Sequence, residues 1–258
     1  MARQSSSNAG RAAELLILLS QAGAKGMSLG ELAEATGDAR SSVHRALVAL
    51  ADYGLVVQNG NRGRYRLGPG AFALALRTPS VNEVVEVYRP ALIAITAQTA
   101  LSSYLMVRSG LDMICIDAQV GEIVAQPFVS GIGGRVPLGV SVSGSCMLGM
   151  MEERARKRCL EQLADRLPKW EVTLDKIESE ITCLRTRGYV AGYRSTRGFE
   201  SLTLALPLMN KDWSGLEVAL SVLAPLNMLD EKAQEAMVRD MWKIVREAEA
   251  SHSNAKRG

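Results

Sequence analysis

Asp38-Ala-Arg-Ser-Ser-Val-His-Arg-Ala-Leu-Val-Ala-Leu50 is the stretch that decides how this chain reads. Asp38 is a good N-cap, because its carboxylate can accept from the free N–H groups of a first helical turn. Val43, Ala46, Leu47 and Leu50 follow at i, i+3, i+4 and i+7, one apolar face of a helix. The other face presents Arg40, Ser41, Ser42, His44 and Arg45. Short donors and cations near the N-terminal half of a helix can read base edges while the back packs on a core. The bland reading is an amphipathic helix with a solvated face, so the flanking elements have to decide.

Upstream, Ala12, Leu15, Leu16 and Leu19 set a first helix over residues 9–22. Ser28 and Glu31 form a capping box for a second helix, and Met27 with Leu32 can supply its hydrophobic staple. Gly37 ends that helix one residue before Asp38. Two capped helices joined by a tight glycine turn make a helix-turn-helix. Downstream, Gly54 stops the third helix, and Leu55–Gln58 and Arg64–Leu67 read as strands around the tip Asn59-Gly60-Asn61-Arg62-Gly63. A basic hairpin placed there is a wing, whose Arg62 and Arg64 could reach phosphates or a minor groove. A plain structural ribbon is the alternative, and Tyr65 reads as packing.

Charge supports the partition. Residues 1–70 carry eight Lys/Arg against five Asp/Glu, and residues 71–258 carry 22 of each. The whole excess of +3 therefore sits in the first quarter, as expected of a small nucleic-acid-binding domain joined to a neutral one. At 258 residues the chain can hold two cores. No apolar run approaches a membrane span, and the N-terminus has no apolar region of the secretory kind. Cys115, Cys146, Cys159 and Cys183 are widely spaced and read as reduced thiols of a cytoplasmic protein.

Gly26-Met-Ser-Leu-Gly-Glu-Leu-Ala33, Thr36-Gly-Asp-Ala-Arg-Ser-Ser-Val-His-Arg-Ala-Leu47 and Arg64-Tyr-Arg-Leu-Gly68 resemble the N-terminal domain of IclR-type transcriptional regulators over about residues 11–70. The resemblance implies a winged helix-turn-helix that binds double-stranded operator DNA, with residues 40–45 in the major groove. The candidate DNA-contacting residues are Ser28, Arg40, Ser41, Ser42, His44, Arg45, Arg62 and Arg64.

The organisation expected is residues 1–70 as the DNA-binding domain, 71–79 as a linker helix and 80–258 as a regulatory domain. The apolar side chains of 71–79 are covered either by a second subunit or by their own domain. Ser80 and Glu83 form a capping box for a helix through Val84, Val85, Tyr88 and Leu92, which Pro90 kinks or divides. Residues 103–108, 113–117 and 123–129 read as strands. A helix starts near Ser141–Gly144, residues 152–165 form another, and Thr173 caps a third with Leu174, Ile177, Ile181 and Leu184 as its buried stripe. Leu202–Leu208 and Leu216–Val222 alternate as strands, and Met237, Met241, Ile244, Val245 and Ala248 mark a closing helix. The fold class is therefore α+β, with a mostly antiparallel sheet flanked by helices.

Arg135-Val-Pro-Leu-Gly-Val-Ser-Val-Ser-Gly144, Arg187-Gly-Tyr189 and Ala219-Leu-Ser-Val222 resemble, more loosely, the effector-binding domain of the same family, a fold of the GAF and PAS kind. The family usually has His where Gly139 stands and an acidic run where Gly192-Tyr-Arg-Ser195 stands; two extra residues precede Leu204. These departures fall on the rim of the expected pocket, so the effector's identity does not carry over. Mapped onto the family, Val142, Ser143 and Gly144 line the pocket, with Cys146 beside them. Small side chains and free N–H groups at a helix start favour an anion or a carbonyl oxygen, though the same serines serve as a plain cap. Thr203, Ala219 and Ser221 are candidates for the facing wall. Arg135 pairs either with an effector carboxylate or with a structural acid.

An inventory argues against catalysis. The two histidines are His44 and His252, neither placed for a triad, and no His/Cys cluster has zinc spacing. Ser141-Val-Ser-Gly-Ser145 is not a nucleophile elbow, and Gly131-Ile-Gly-Gly134 is not a dinucleotide fingerprint. The expectation is a cofactor-free transcription factor, a dimer or dimer of dimers, answering a small organic effector such as an aromatic or short-chain acid or derivative. The alternative is a metabolite sensor whose winged domain makes protein contacts.

Overall fold

Apolar residues at helical spacing, each run closed by a cap, build the first of two units. The computed structural model describes residues 8–58, 63–123, 125, 131–196, 199–209 and 215–255. The chain divides into Met1–Pro79 and Ser80–Gly258. In the first unit α1 (Asn8–Ala22), α2 (Leu29–Thr36) and α3 (Arg40–Asp52) precede β1 (Val56–Gln58), β2 (Tyr65–Leu67) and α4 (Pro69–Ala75). Leu15, Leu19, Leu32, Val43, Leu47, Leu50, Val56 and Tyr65 form its core. Tyr65 packs there as expected, and its backbone exchanges two hydrogen bonds with Met27, at 2.9 and 2.7 Å. That exchange ties the returning strand to the start of α2. The strands pair antiparallel, Val56 opposite Leu67 and Gln58 opposite Tyr65. The hairpin tip, residues 59–62, lies outside the described residues.

The Ser28–Glu31 capping box forms as read, and Gly37 closes α2 in the left-handed conformation. Asp38, however, does not cap α3. The N-cap is Ala39, without a side-chain bond. Arg11 of α1 takes the Asp38 carboxylate instead, Nε to Oδ2 at 2.6 Å and Nη2 to Oδ1 at 3.3 Å. A two-pronged, charge-assisted contact outcompetes a single bond to a backbone N–H.

In the second unit α5 (Pro79–Thr99) leads into β3 (Ser102–Ser109), β4 (Asp112–Gln119) and β5 (Arg135–Pro137). Then come α6 (Val142–Met150), α7 (Glu153–Leu163), α8 (Leu174–Arg187), β6 (Val190–Thr196), β7 (Phe199–Leu208), β8 (Val218–Pro225) and α9 (Glu231–Ala255). The described strands form one sheet in the order β5-β4-β3-β8-β7-β6, antiparallel at every pairing. Alternation sends Leu105, Val107, Leu204, Leu206, Leu220 and Val222 to one face, where α5 and α9 supply Tyr88, Leu92, Met241 and Val245. Tyr104, Met106, Cys115, Ala205, Ala219 and Leu223 face the other way, under α6 and α8. Helices cover both faces, so β8 is buried along nearly its whole length.

Several local expectations change. α5 begins at Pro79, a residue suited to a first helical position, so Ser80 lies inside the helix rather than capping it. It then runs unbroken through Pro90. Leu174 is exposed, because it sits in the first turn of α8 ahead of the packed stripe Ile177, Ile181 and Leu184. Leu216 precedes β8 instead of belonging to it. β6 was not expected at all. Of the strand read at 123–129, Ile123 bridges to Leu101; residues 124 and 126–130 lie outside the described residues.

Candidate nucleic-acid interface and ligand site

The two sides of α3 are divided cleanly. Val43, Leu47 and Leu50 are buried, while Arg40, Ser41, His44 and Arg45 are exposed and Ser42 half-buried. Arg45 Nη2 donates to Ser42 Oγ at 3.3 Å on the solvent side. Arg40 reaches back along α2, with Nη2 only 3.5 Å from the point a Cβ on Gly30 would occupy. Ser28 is half-buried, and its Oγ accepts from Glu31 N at 3.3 Å. The contiguous polar surface of this unit thus runs from the start of α2 onto α3.

Arg64 is placed otherwise than its sequence suggests. Nε donates to Lys25 O at 3.1 Å and Gly26 O at 3.2 Å, and Nη2 donates to Gly26 O at 3.0 Å and Glu31 Oε1 at 2.9 Å. Most of its donors therefore brace the base of the hairpin against α2. Glu31 is held at about 2, first by the Ser28 N–H and then by Arg64. Arg62 lies outside the described residues. Two residues that sequence reasoning passed over also position this surface: Arg11, through Asp38, and Arg66, whose Nη1 reaches Ala24 O at 3.5 Å.

In the second unit the structure gathers most of the residues read as a pocket. Ser141 caps α6, its Oγ accepting from Gly144 N at 3.1 Å. Val142, Ser143, Gly144 and Cys146 are buried on α6. On the sheet face shared with α6, Tyr104, Ser221 and Ala205 lie directly opposite one another across β3, β8 and β7. Leu223 stands between Ser102 and Thr203 in the next row, and Ala219 between Met106 and Pro207 in the row on the other side. The face thus sets the hydroxyls of Ser102, Tyr104, Thr203 and Ser221 among apolar side chains, of which Ala205 and Ala219 are small. The hydroxyls of Ser145 and Ser201 are fully buried without a hydrogen-bond partner. Burial pushes the Tyr104 phenol and the Cys146 thiol up, and it carries the Cys115 thiol to about 12. Neither thiol is a ready nucleophile near neutral pH.

Arg135 is not brought to this group. It pairs in register with Ile114, which packs toward the α5 and α9 face, whereas its neighbour Val136 packs toward α6. Its guanidinium meets Asp112 at 3.3 Å, and Arg166 contacts the same carboxylate. Sequence reasoning missed the opposite case: Arg194 on β6 lies buried on the α6 side, paired with Glu180 of α8. Its only signal was a basic residue where the family carries acidic ones. His44 is on the exposed face of α3, and His252 Nε2 lies 3.8 Å from Glu83. Among the described residues no cluster has the makings of a metal site, and no helix is long and apolar enough to cross a membrane.

Comparison with known proteins follows the same division. Residues 9–60 match the model of the IclR helix-turn-helix domain, and residues 77–250 match that of the bacterial transcriptional regulator IclR C-terminal domain. The HTH-type transcriptional regulator Rv1719 of Mycobacterium tuberculosis is 36% identical over 157 residues, which is 58% of this chain and 56% of that protein. An IclR transcriptional regulator from Alicyclobacillus acidocaldarius superposes with a TM-score of 0.73 at 22% identity, over 94% of this chain and 97% of the other. An IclR homologue from Microbacterium hydrocarbonoxydans, complexed with 4-hydroxybenzoate, gives 0.72 at 17% identity, over 94% and 98%. At these identities the two structures speak to fold alone.

Proposed function

The chain belongs to the IclR family of bacterial transcriptional regulators, and from that premise we propose that it binds operator DNA through α3 and releases or retains it in response to a small organic effector. The observation that carries the proposal is the division of α3. Its inward residues hold the first unit together, while Arg40, Ser41, His44 and Arg45 are exposed and stand outside its core. A helix so divided can enter a major groove without unfolding anything. Ser28 lies near enough to join it, and Arg64 serves mainly by holding the hairpin in place.

The effector is assigned to the side of the sheet that α6 covers, where Val142, Ser143, Gly144 and Cys146 lie on the helix and Thr203, Ala219 and Ser221 on the strands. Two unpartnered buried hydroxyls support a ligand or water there. The 4-hydroxybenzoate held by the Microbacterium relative makes a small aromatic acid or derivative the first class to try. The effector acts by binding two arrangements of the protein with different affinities. The protein works in the cytoplasm, as a dimer or dimer of dimers. Phe72, Leu74 and Leu76, all exposed around α4, support association.

Footprinting on the DNA upstream of its own gene, with and without candidate acids, tests the assignment. Salt-sensitive protection of a palindrome, altered by one acid, is the expected result. Indifference of DNA binding to salt, or no binding, would overturn it.

A further inference from the structure

Arg194 and Glu180 are 2% and 5% exposed. Burying two ions costs solvation that their attraction returns only when their other polar atoms are satisfied. A guanidinium has five N–H donors, and all five are used. Nε donates to Val140 O at 2.7 Å. Nη2 donates to Gly139 O at 3.2 Å and to Glu180 Oε2 at 2.8 Å. Nη1 donates to Tyr193 O at 2.9 Å and to Glu180 Oε1.

Gly139 and Val140 immediately precede Ser141, the cap of α6. One side chain therefore holds both carbonyls of the segment that aims the helix, and Glu180 anchors that side chain to α8. Two glycines make room. A Cβ on Gly192 would stand 2.4 Å from Glu180 Oε1 and 2.6 Å from Val142 Cγ2. Gly139 has φ +87°, and a Cβ there would lie 2.7 Å from Ile177 Cδ1. Glycines at 139 and 192 and an arginine at 194 thus form one arrangement.

We propose that Arg194 is a positioning residue: it fixes the lead-in to α6, and so the direction of the N–H groups and serines offered to the effector, and is not itself an effector ligand. This rests on the reading that the effector binds at the start of α6.

Hydrogen exchange on the full chain tests it, comparing the parent with Arg194→Lys and with the double change Arg194→Leu plus Glu180→Leu. The double change removes both buried charges, which often leaves global stability intact. It also leaves the Gly139 and Val140 carbonyls without donors. Exchange across 140–147 should rise roughly tenfold or more, while β3 and β8 keep their protection. Lysine keeps a charge beside Glu180 but has too few donors for the rest, so it should give a smaller rise in the same segment. Should the double variant fail to fold, the lysine variant decides. Unchanged exchange in 140–147, or an equal rise everywhere, overturns the proposal. No effector is present, so a failure of the effector reading would show separately, as α6 loosening in a protein that answers no acid.

Discussion

Replacing Arg45 with alanine separates folding from DNA binding most sharply. The side chain is exposed, and its intramolecular bond is a 3.3 Å contact to Ser42 Oγ at the surface. Losing it should shift stability by no more than about 0.5 kcal/mol, since packing around it comes from Val43 and Leu47. Operator binding should respond differently. If the guanidinium grips a base edge, its loss costs about 1–3 kcal/mol per half-site, or about 2–6 kcal/mol for a dimer using both. If it meets a phosphate, the slope of log K against log salt flattens by about 0.9 per contact, so about 1.8 for two half-sites. Fluorescence anisotropy on the footprinted fragment, from about 50 to about 200 mM salt, distinguishes these outcomes. Circular dichroism on the same sample checks the fold. An Arg45→Ala protein with parental affinity, parental slope and parental melting would refute the assignment of α3 as the DNA probe.

Leu47→Ala should do the reverse, costing about 2–5 kcal/mol of stability because Leu47 is fully buried. DNA binding should survive at temperatures where the first unit stays folded, which a melt followed beside a binding curve will show. Ser28→Ala should cost the first unit about 0.5–2 kcal/mol through loss of the α2 cap; an unshifted melt would mean that Glu31 and Arg64 hold the helix start alone. Glu31 titrates at about 2 in the folded state against 4.5 ordinarily, so its ionised form favours folding. That contribution is full above about 4.5 and disappears as pH falls toward 2, and Glu31→Gln should remove this part of the acid sensitivity in a pH-dependent melt. Ser221→Leu should crowd the side of the sheet that α6 covers, abolishing the response to the effector identified by footprinting, with a melt on the same sample showing that the second unit stays folded; a retained response would move the site elsewhere.

The first unit was legible because its signals are local. The capping box at Ser28 and the apolar spacing from Val43 to Leu50 lie within one or two helical turns. Asp38 was misread for the same reason: a local rule assigns it to the nearest N–H groups, while its partner Arg11 stands 27 residues away. In the second unit the strands with plain alternation, such as Leu202–Leu208, were legible. What their small residues faced followed at one remove: the family likeness set Thr203 opposite α6, and the period of two then puts Ala205 on the same face. β6 escaped because Gly192 and Arg194 break the apolar period, and an arginine looks like solvent until Glu180 is seen beside it. Arg135 shows the remaining gap. Adjacent residues of a strand face opposite ways, and which way is settled by pairing with β4, not by anything within residues 131–144.

The division of labour on α3 has an evolutionary consequence. Arg40, Ser41, His44 and Arg45 are exposed and lie outside the unit's core, so mutation can rewrite them at little cost in stability. A duplicated copy of such a gene can acquire a new genomic address in a few steps, each passing through a sound protein. The scaffold stays put while the address changes.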